Sequence, residues 1–307
     1  MPSPPGSSSL VGRTCLVTGA SGFLGQCVVK RLVDAGMAVT AQLRISVSTA
    51  PGVEQRLGDI SEPGWSEATR EQWRWDSVVH LAGPVAAGAT GFVEEARAAR
   101  AHAVIALSLA RAIPPGWRGR LVHASSMTVY GAAVSLPVKE TQSLAPSFLY
   151  ALGKVLAEDV WRAARLPDWW LLRLPGLFSA ERRSGALYHF IKAGLAGAPI
   201  ELTAREPTLW DVLHVDDAAE AIVRVLSSPA PFGGALNVSY GEVVSLERVA
   251  RMISALTTGT EVNNPSKLLH PDFQLDISRA SELLTWPPSS LKSRIVELID
   301  QTRRQHA

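Results

Sequence analysis

The stretch "TCLVTGASGFLG", Thr14–Gly25, decides the fold. Its first half, "TCLVT", is a short apolar, β-rich run, the composition of a strand buried on both faces. Its second half sets Gly19, Gly22 and Gly25 three residues apart, and "FLGQCVVKRLVDAG" then runs with helical periodicity to Gly36. Glycines at a strand-to-helix turn let the backbone bend tightly and come close to a pyrophosphate. The free N–H groups of the helix start receive its charge. A glycine pattern alone also suits a plain tight turn. Its place at the first junction of a strand–helix alternation selects dinucleotide binding, with Gly19, Ser21, Gly22, Phe23, Leu24 and Gly25 as the contact segment.

The alternation continues outward. "MAVTAQLR" predicts a second strand, and "VEQRLGDI", with Asp59 and Ile60, a third. "DSVVHLAG" is the fourth and ends in Leu81, Ala82 and Gly83. A long helix, "FVEEARAARAHAVIALSLARAI", stops at Pro114 and Pro115. "GRLVHASSM" is the fifth strand, "YALGKVLAEDVWRAA" a helix and "WWLLRLPGLF" another strand. Strands alternating with helices imply an α/β protein with a Rossmann-like, doubly wound parallel sheet and right-handed crossovers. From about residue 176 the rhythm loosens. "RRSGALYHFIKAGLAGAPIEL" and "LERVARMISALT" read as helices outside the sheet, while "VLHVDDAAEAIVRVLSSP" and "ALNVSY" return to it. The expected division is a flexible Pro/Ser/Gly-rich tail over 1–12, a cofactor domain over 13–175 joined by 209–240, and a small C-terminal substrate lobe from 176–208 and 241–307.

Bulk composition narrows the function. Apolar residues make up 47% and charged residues 19%, with a net charge of +2 and no Lys/Arg run. That argues against a nucleic-acid partner or an anionic membrane surface. Cys15 and Cys27 both lie in apolar segments, and no CxxC or Cys/His cluster occurs, so no metal site is nominated. Thiols of this kind fit a reducing compartment, and a cytoplasmic location is expected. No apolar run approaches the roughly 18 residues of a membrane span. The start, "MPSPPGSSSLVG", lacks the basic-then-apolar order of a secretory leader.

Three further residues carry chemistry. The second strand ends at Arg44, 19 residues after Gly25. A carboxylate there would hold the adenosine 2′-hydroxyl; an arginine suits a 2′-phosphate, so NADP(H) is favoured and NAD(H) stays open. A solvated arginine at a strand end is the plainer alternative. The fifth strand ends in "ASSMTVYG", which sets Ser126 at the edge of the ligand crevice. Tyr150 and Lys154 stand four apart, one turn along a single helix face. An ammonium favours the tyrosinate, and a serine hydroxyl orients a substrate oxygen. Moving a tyrosine from about 10 to about 7 takes roughly 4 kcal/mol.

Together "TGASGFLG", "GDI", "HLAG", "SSMTVYG", "YALGK", "RLPGLF", "LHVDDAAEAI", "LNVSYGEVVSLERVA" and "DISRASELLTWPP" resemble the extended short-chain dehydrogenase/reductases of the NAD-dependent epimerase/dehydratase family, from about Thr14 to Pro288. The resemblance implies a Rossmann domain with a small substrate lobe, and Ser126, Tyr150 and Lys154 as the catalytic set. It places Asp59 at the adenine, Leu81–Gly83 along the cofactor, Pro175 near the nicotinamide and Lys154 on its ribose. It also implies a homodimer through the helix of Tyr150 and the helix around 92–112.

The departures bear on substrate. Met127 and Thr128 stand where the family's dehydratases carry Asp-Glu, which sets aside a 4,6-dehydratase. His102 takes the place of a frequent asparagine, Gly176 of another, and Trp210 of an arginine that holds phosphate. Arg182, Arg183 and Arg205 are candidates to replace those diphosphate contacts; solvated charges are the equal alternative. His214, Asp216 and Asp217 resemble a structural motif, with Asp216 or Asp217 capping the following helix. The first expectation is an NADPH-dependent ketoreductase of a nucleotide-linked 4-keto-6-deoxy sugar, with Tyr150 as proton donor. The second is a sugar-nucleotide 4-epimerase with retained NAD, and the third a reductase of a non-nucleotide carbonyl compound. A sensor without turnover would show an eroded triad, and this one is intact.

Overall fold

In chain order the strands are β1 (Thr14–Thr18), β2 (Ala38–Leu43), β3 (Glu54–Leu57), β4 (Ser77–His80), β5 (Arg120–Ser126), β6 (Trp169–Leu174), β7 (Gly176–Phe178), β8 (Ile200–Glu201), β9 (Val212–His214), β10 (Gly233–Asn237) and β11 (Val262–Asn263). The helices are α1 (Phe23–Asp34), α2 (Trp65–Glu71), α3 (Phe92–Ala112), α4 (Leu149–Ala163), α5 (Ala186–Leu195), α6 (Val215–Ser227), α7 (Leu246–Leu256), α8 (Ser278–Leu284) and α9 (Leu291–His306). The computed structural model describes residues 9–84, 91–132, 135–202, 209–242, 244–265 and 272–306.

Seven strands form one parallel sheet in the order β10-β6-β5-β4-β1-β2-β3. Successive side chains of a strand point to opposite faces, and the buried residues sort accordingly. Cys15, Val17, Val79, Val122 and Leu172 face α1 and α6, meeting Val28, Leu32, Ile222 and Val225. Leu16, Val78, Leu121 and Leu171 face α3 and α4, meeting Ala106, Leu109, Ala157 and Trp161. Both faces are covered, which is why the strand sequences are continuous apolar runs. The order reverses at β1, where Thr18 lies between Gln42 of β2 and His80 of β4. A ligand crevice opens at the carboxyl ends of strands at such a point.

Four segments differ from the sequence expectation. "WWLLRLPGLF" is two strands, because Pro175 has no N–H to continue the ladder; β6 stays in the main sheet and β7 pairs with β9 in a small separate one. Residues 212–214 therefore do not rejoin the large sheet, whereas β10 does, beside β6. Packing begins before Arg13: Leu10 is buried in the core, and Gly12 N–H donates to Gly36 O at 2.9 Å. The cap of α6 is His214, whose Nδ1 accepts from Asp216 N–H at 3.2 Å, rather than either aspartate. Asp217 lies in the first turn and turns inward instead, to Tyr240, Ser289 and Arg294.

Burial pushes the Cys15 thiol up to about 12 and the half-buried Cys27 thiol up to about 11, so both are poor nucleophiles. Among the described residues, no helix is long and apolar enough to cross a membrane.

Candidate active site

The glycine turn is built around close approaches. Gly19 has φ +69°, and a Cβ on it would lie 2.7 Å from Ala82 N and 2.8 Å from Leu81 C. On Gly25 a Cβ would stand 2.1 Å from Gly19 O. No side chain fits at either place, so the turn stays low and the end of β1 lies against the end of β4. Thr18 ties the two: its Oγ1 lies 2.8 Å from His80 Nδ1 and accepts from Ala82 N–H at 3.3 Å.

A cleft of about 550 Å³ opens beside this turn. Gly19, Ser21 and Gly22 line it, with Gln42–Arg44 at the end of β2, Gly58–Ser61 after β3 and Leu81–Pro84 after β4. Asp59 is fixed by Ser61, whose Oγ and N donate to it at 2.6 and 2.8 Å. These bonds hold its carboxyl below the usual range, and the charge of Arg44 acts the same way. Ile60 beside it is buried. Gln42 is 3% exposed; its Nε2 donates to Gly58 O at 2.7 Å, but its Oε1 has no partner. A cradle that a Cβ would fill and an unpartnered buried acceptor both fit a dinucleotide. Glu94, Arg97 and Ala98 of α3 close the far wall. Arg97 escaped the sequence reading because it sits on the polar stripe of a helix. Phe23 and Leu24 start α1 without lining the cleft; Leu24 packs on the core, and the Arg182 guanidinium lies 5.8 Å over the Phe23 ring.

The candidate acid–base residues stand at the end of β5 and in the N-terminal half of α4. Ser126 is level with Leu174 of β6, and buried Pro175 follows. Ser126 Oγ accepts from Thr128 N–H at 3.3 Å and from Thr128 Oγ1 at 2.9 Å. Its lone pairs are occupied, which leaves its own O–H to donate. Thr128 thus holds the Ser126 side chain, although in the sequence it spoke only against elimination. Tyr150 is half-buried in the first turn of α4. Burial raises its pKa, and the Ser126 hydroxyl and the charge of Arg182 offset part of that rise. Burial of the phenol thus works against the tyrosinate that the neighbouring ammonium favours. Lys154 Nζ is 5.8 Å from the Tyr150 ring centroid and donates to Ala124 O at 2.9 Å. Lys154 is 6% exposed, and burial lowers its pKa to about 8 against the opposing charge of Glu158.

His102 joins the two halves of the site. Its ring meets Tyr150 edge-on at 5.5 Å, and Nε2 lies 3.0 Å from Pro84 O. Burial lowers its pKa to about 3, so the ring is neutral, and a carbonyl partner assigns the proton to Nε2. Nδ1 has no partner and packs on Gly83, where a Cβ would come within 2.4 Å of it. Of the arginines considered for a diphosphate, Arg182 and Arg183 are exposed beyond β7, Arg182 donating to Leu177 O at 2.7 Å, while Arg205 falls outside the described residues.

The sequence pattern of the NAD dependent epimerase/dehydratase family matches residues 15–239. The chain belongs to this family. It is an NAD(P)-dependent epimerase or reductase, with a Rossmann-like sheet of seven strands and small additional sheets. It is 28% identical to the UDP-glucose 4-epimerase of Azospirillum brasilense, over 89% of this chain and 86% of that one. The dTDP-4-dehydro-6-deoxy-D-allose reductase of a Streptomyces species is 24% identical, over 93% and 95%. The structure of MoeE5 in complex with UDP-glucose and NAD is 26% identical, with a TM-score of 0.77 over 96% of this chain and all of that one. In this epimerase/dehydratase member, Gly176 at the start of β7 is exposed and Trp210 half-buried.

Proposed function

We propose that the protein is a 4-epimerase of a nucleotide-linked sugar. The observation that carries the reading is the Tyr150 hydroxyl set beside Ser126 and the buried Lys154, next to a glycine-cradled cleft. The activities named for the similar epimerases favour it over the ketoreductase that the sequence reading put first. A nicotinamide cofactor in the cleft supplies the hydride acceptor and donor. The chain supplies the proton chemistry. Ser126 O–H orients the C4 oxygen, Tyr150 Oη takes the C4 hydroxyl proton and later returns it, and the charges of Lys154 and Arg182 favour the phenolate that the first transfer needs. Gly19, Gly22 and Ser21 would receive the pyrophosphate, and Gln42, Asp59 and Leu81–Gly83 the adenosine side.

The test is incubation with UDP-glucose and analysis of the recovered sugar. Expected is the 4-epimer with no net consumption of NADH or NADPH, falling by about 10³-fold or more in Tyr150→Phe, which still binds cofactor. Absence of any 4-epimer, together with stoichiometric NADPH oxidation on a nucleotide 4-keto-6-deoxy sugar, would overturn it. That outcome is the second reading. Arg44 and Arg97 favour it: both line the cleft, and β2 ends without a carboxylate, as suits a 2′-phosphate.

A further inference from the structure

Lys154 is a cation in an unfavourable place. It is 6% exposed and touches no carboxylate; its hydrogen bond goes to the Ala124 carbonyl. The titratable groups facing it are His80 from β4, His102 from α3, His123 from β5, and Tyr150 and Glu158 from its own helix. The three histidines are neutral, since burial lowers all of them, and bring no negative charge. Glu158 does. It follows Lys154 by one turn and is 0% exposed. Burial alone would protonate it, but it is held ionised by its neighbours. Ser125 Oγ donates to its Oε1 at 2.5 Å, Arg173 Nε to the same oxygen at 3.1 Å and Arg173 Nη2 to Oε2 at 2.8 Å, where Arg162 also donates. Ser125 precedes Ser126, so one carboxylate is bonded to β5 beside the serine and shares a helix turn with the lysine.

We propose that Glu158 is a positioning residue of the active site, whose buried carboxylate keeps Lys154 in its ammonium form and fixes it against the end of β5. The inference rests on the catalytic reading of Lys154 given above. A carboxylate serving only as half of a buried ion pair with Arg173 would hold β6 to α4 and leave Lys154 unaffected. The pair does more because, among the described residues, Glu158 is the anion that offsets the burial of Lys154.

The experiment is NMR titration of ε-¹³C-labelled lysine in the full chain, with Lys154→Arg assigning the signal. The wild-type signal should titrate near pH 8. In Glu158→Gln the midpoint should fall by at least about one pH unit, because the ammonium loses its neighbouring negative charge. The alkaline limb of the kcat profile should move down with it while KM for the cofactor holds. If unpaired Arg173 prevents folding, Glu158→Gln/Arg173→Met, which removes both buried charges, is measured instead. An unchanged Lys154 midpoint in a folded variant would overturn the inference, even with Tyr150→Phe inactive and the epimerase reading intact. Failure of the epimerase assay would leave the titration to decide this point by itself.

Discussion

His80 and His123 stack with ring centroids 4.9 Å apart, and both rest against Trp161. Among the described residues, no hydrogen bond of full geometry reaches either ring nitrogen of His123 or His80 Nε2. Burial lowers His80 to about 3 and His123 well below its ordinary value. An unfolded histidine titrates near 6.5, so below that pH the unfolded chain binds more protons than the folded one. Stability is therefore complete above about pH 6.5 and is lost as pH falls, by about 1.4 kcal/mol per pH unit for each such histidine. The urea midpoint should drop steeply from pH 6.5 to 4.5, and His123→Leu should flatten that slope; an identical slope in the variant would remove this account. Histidines of this kind show in the sequence only as members of apolar strands. The same limit hid Glu158, whose partners Ser125 and Arg173 come from β5 and β6. Ser126, Tyr150 and Lys154 were legible because two of them share a helix turn and the third closes a strand.

Helices α3 and α4 pack tightly because Gly153 lets them: a Cβ there would come within 2.8 Å of Ala99 Cα. Their outer surfaces leave Leu107 50%, Leu152 40% and Leu156 39% exposed. Apolar groups on two adjacent helices suit a second copy of the pair, forming a four-helix bundle. Sedimentation equilibrium should give twice the 32.9 kDa chain mass, and Leu107→Arg/Leu152→Arg should give the chain mass with its fold retained. A wild-type monomer at micromolar concentration would exclude the dimer. The alternation from β1 to β6 was readable because its elements keep one period, except for α2, whose seven residues were not read as a helix. Beyond Leu174 helices α5, α6 and α7 and strand β10 were still readable, but β7, β8, β9 and β11 have two or three residues each, too few for a period to register.

Helix α6 and the C-terminal segment meet around Asp217. Tyr240 and Ser289 hydroxyls donate to its Oδ2, each at 2.6 Å, and Arg294 of α9 grips both oxygens, with Nε at 2.9 Å and Nη2 at 2.5 Å. The pair is 1% and 16% exposed in its side chains. Breaking one partner of a buried pair costs about 3–5 kcal/mol, and removing both costs less. Arg294→Met should lower unfolding stability by about 3 kcal/mol, and Asp217→Asn/Arg294→Met should recover most of it. A loss under about 1 kcal/mol in denaturant would show the junction to be held by other contacts.

The seventh strand has a consequence for how the molecule is made. β10 docks on β6 only after the intervening chain has been synthesised, because the polypeptide leaves the sheet at Leu174 and rejoins it at Gly233. Until then the outer rim of β6 presents unsatisfied N–H and C=O groups flanked by Trp170 and Leu172. A nascent chain at that stage carries a sticky edge into a crowded ribosomal exit. Translation through β7, α5 and α6 thus sets how long that edge stays open.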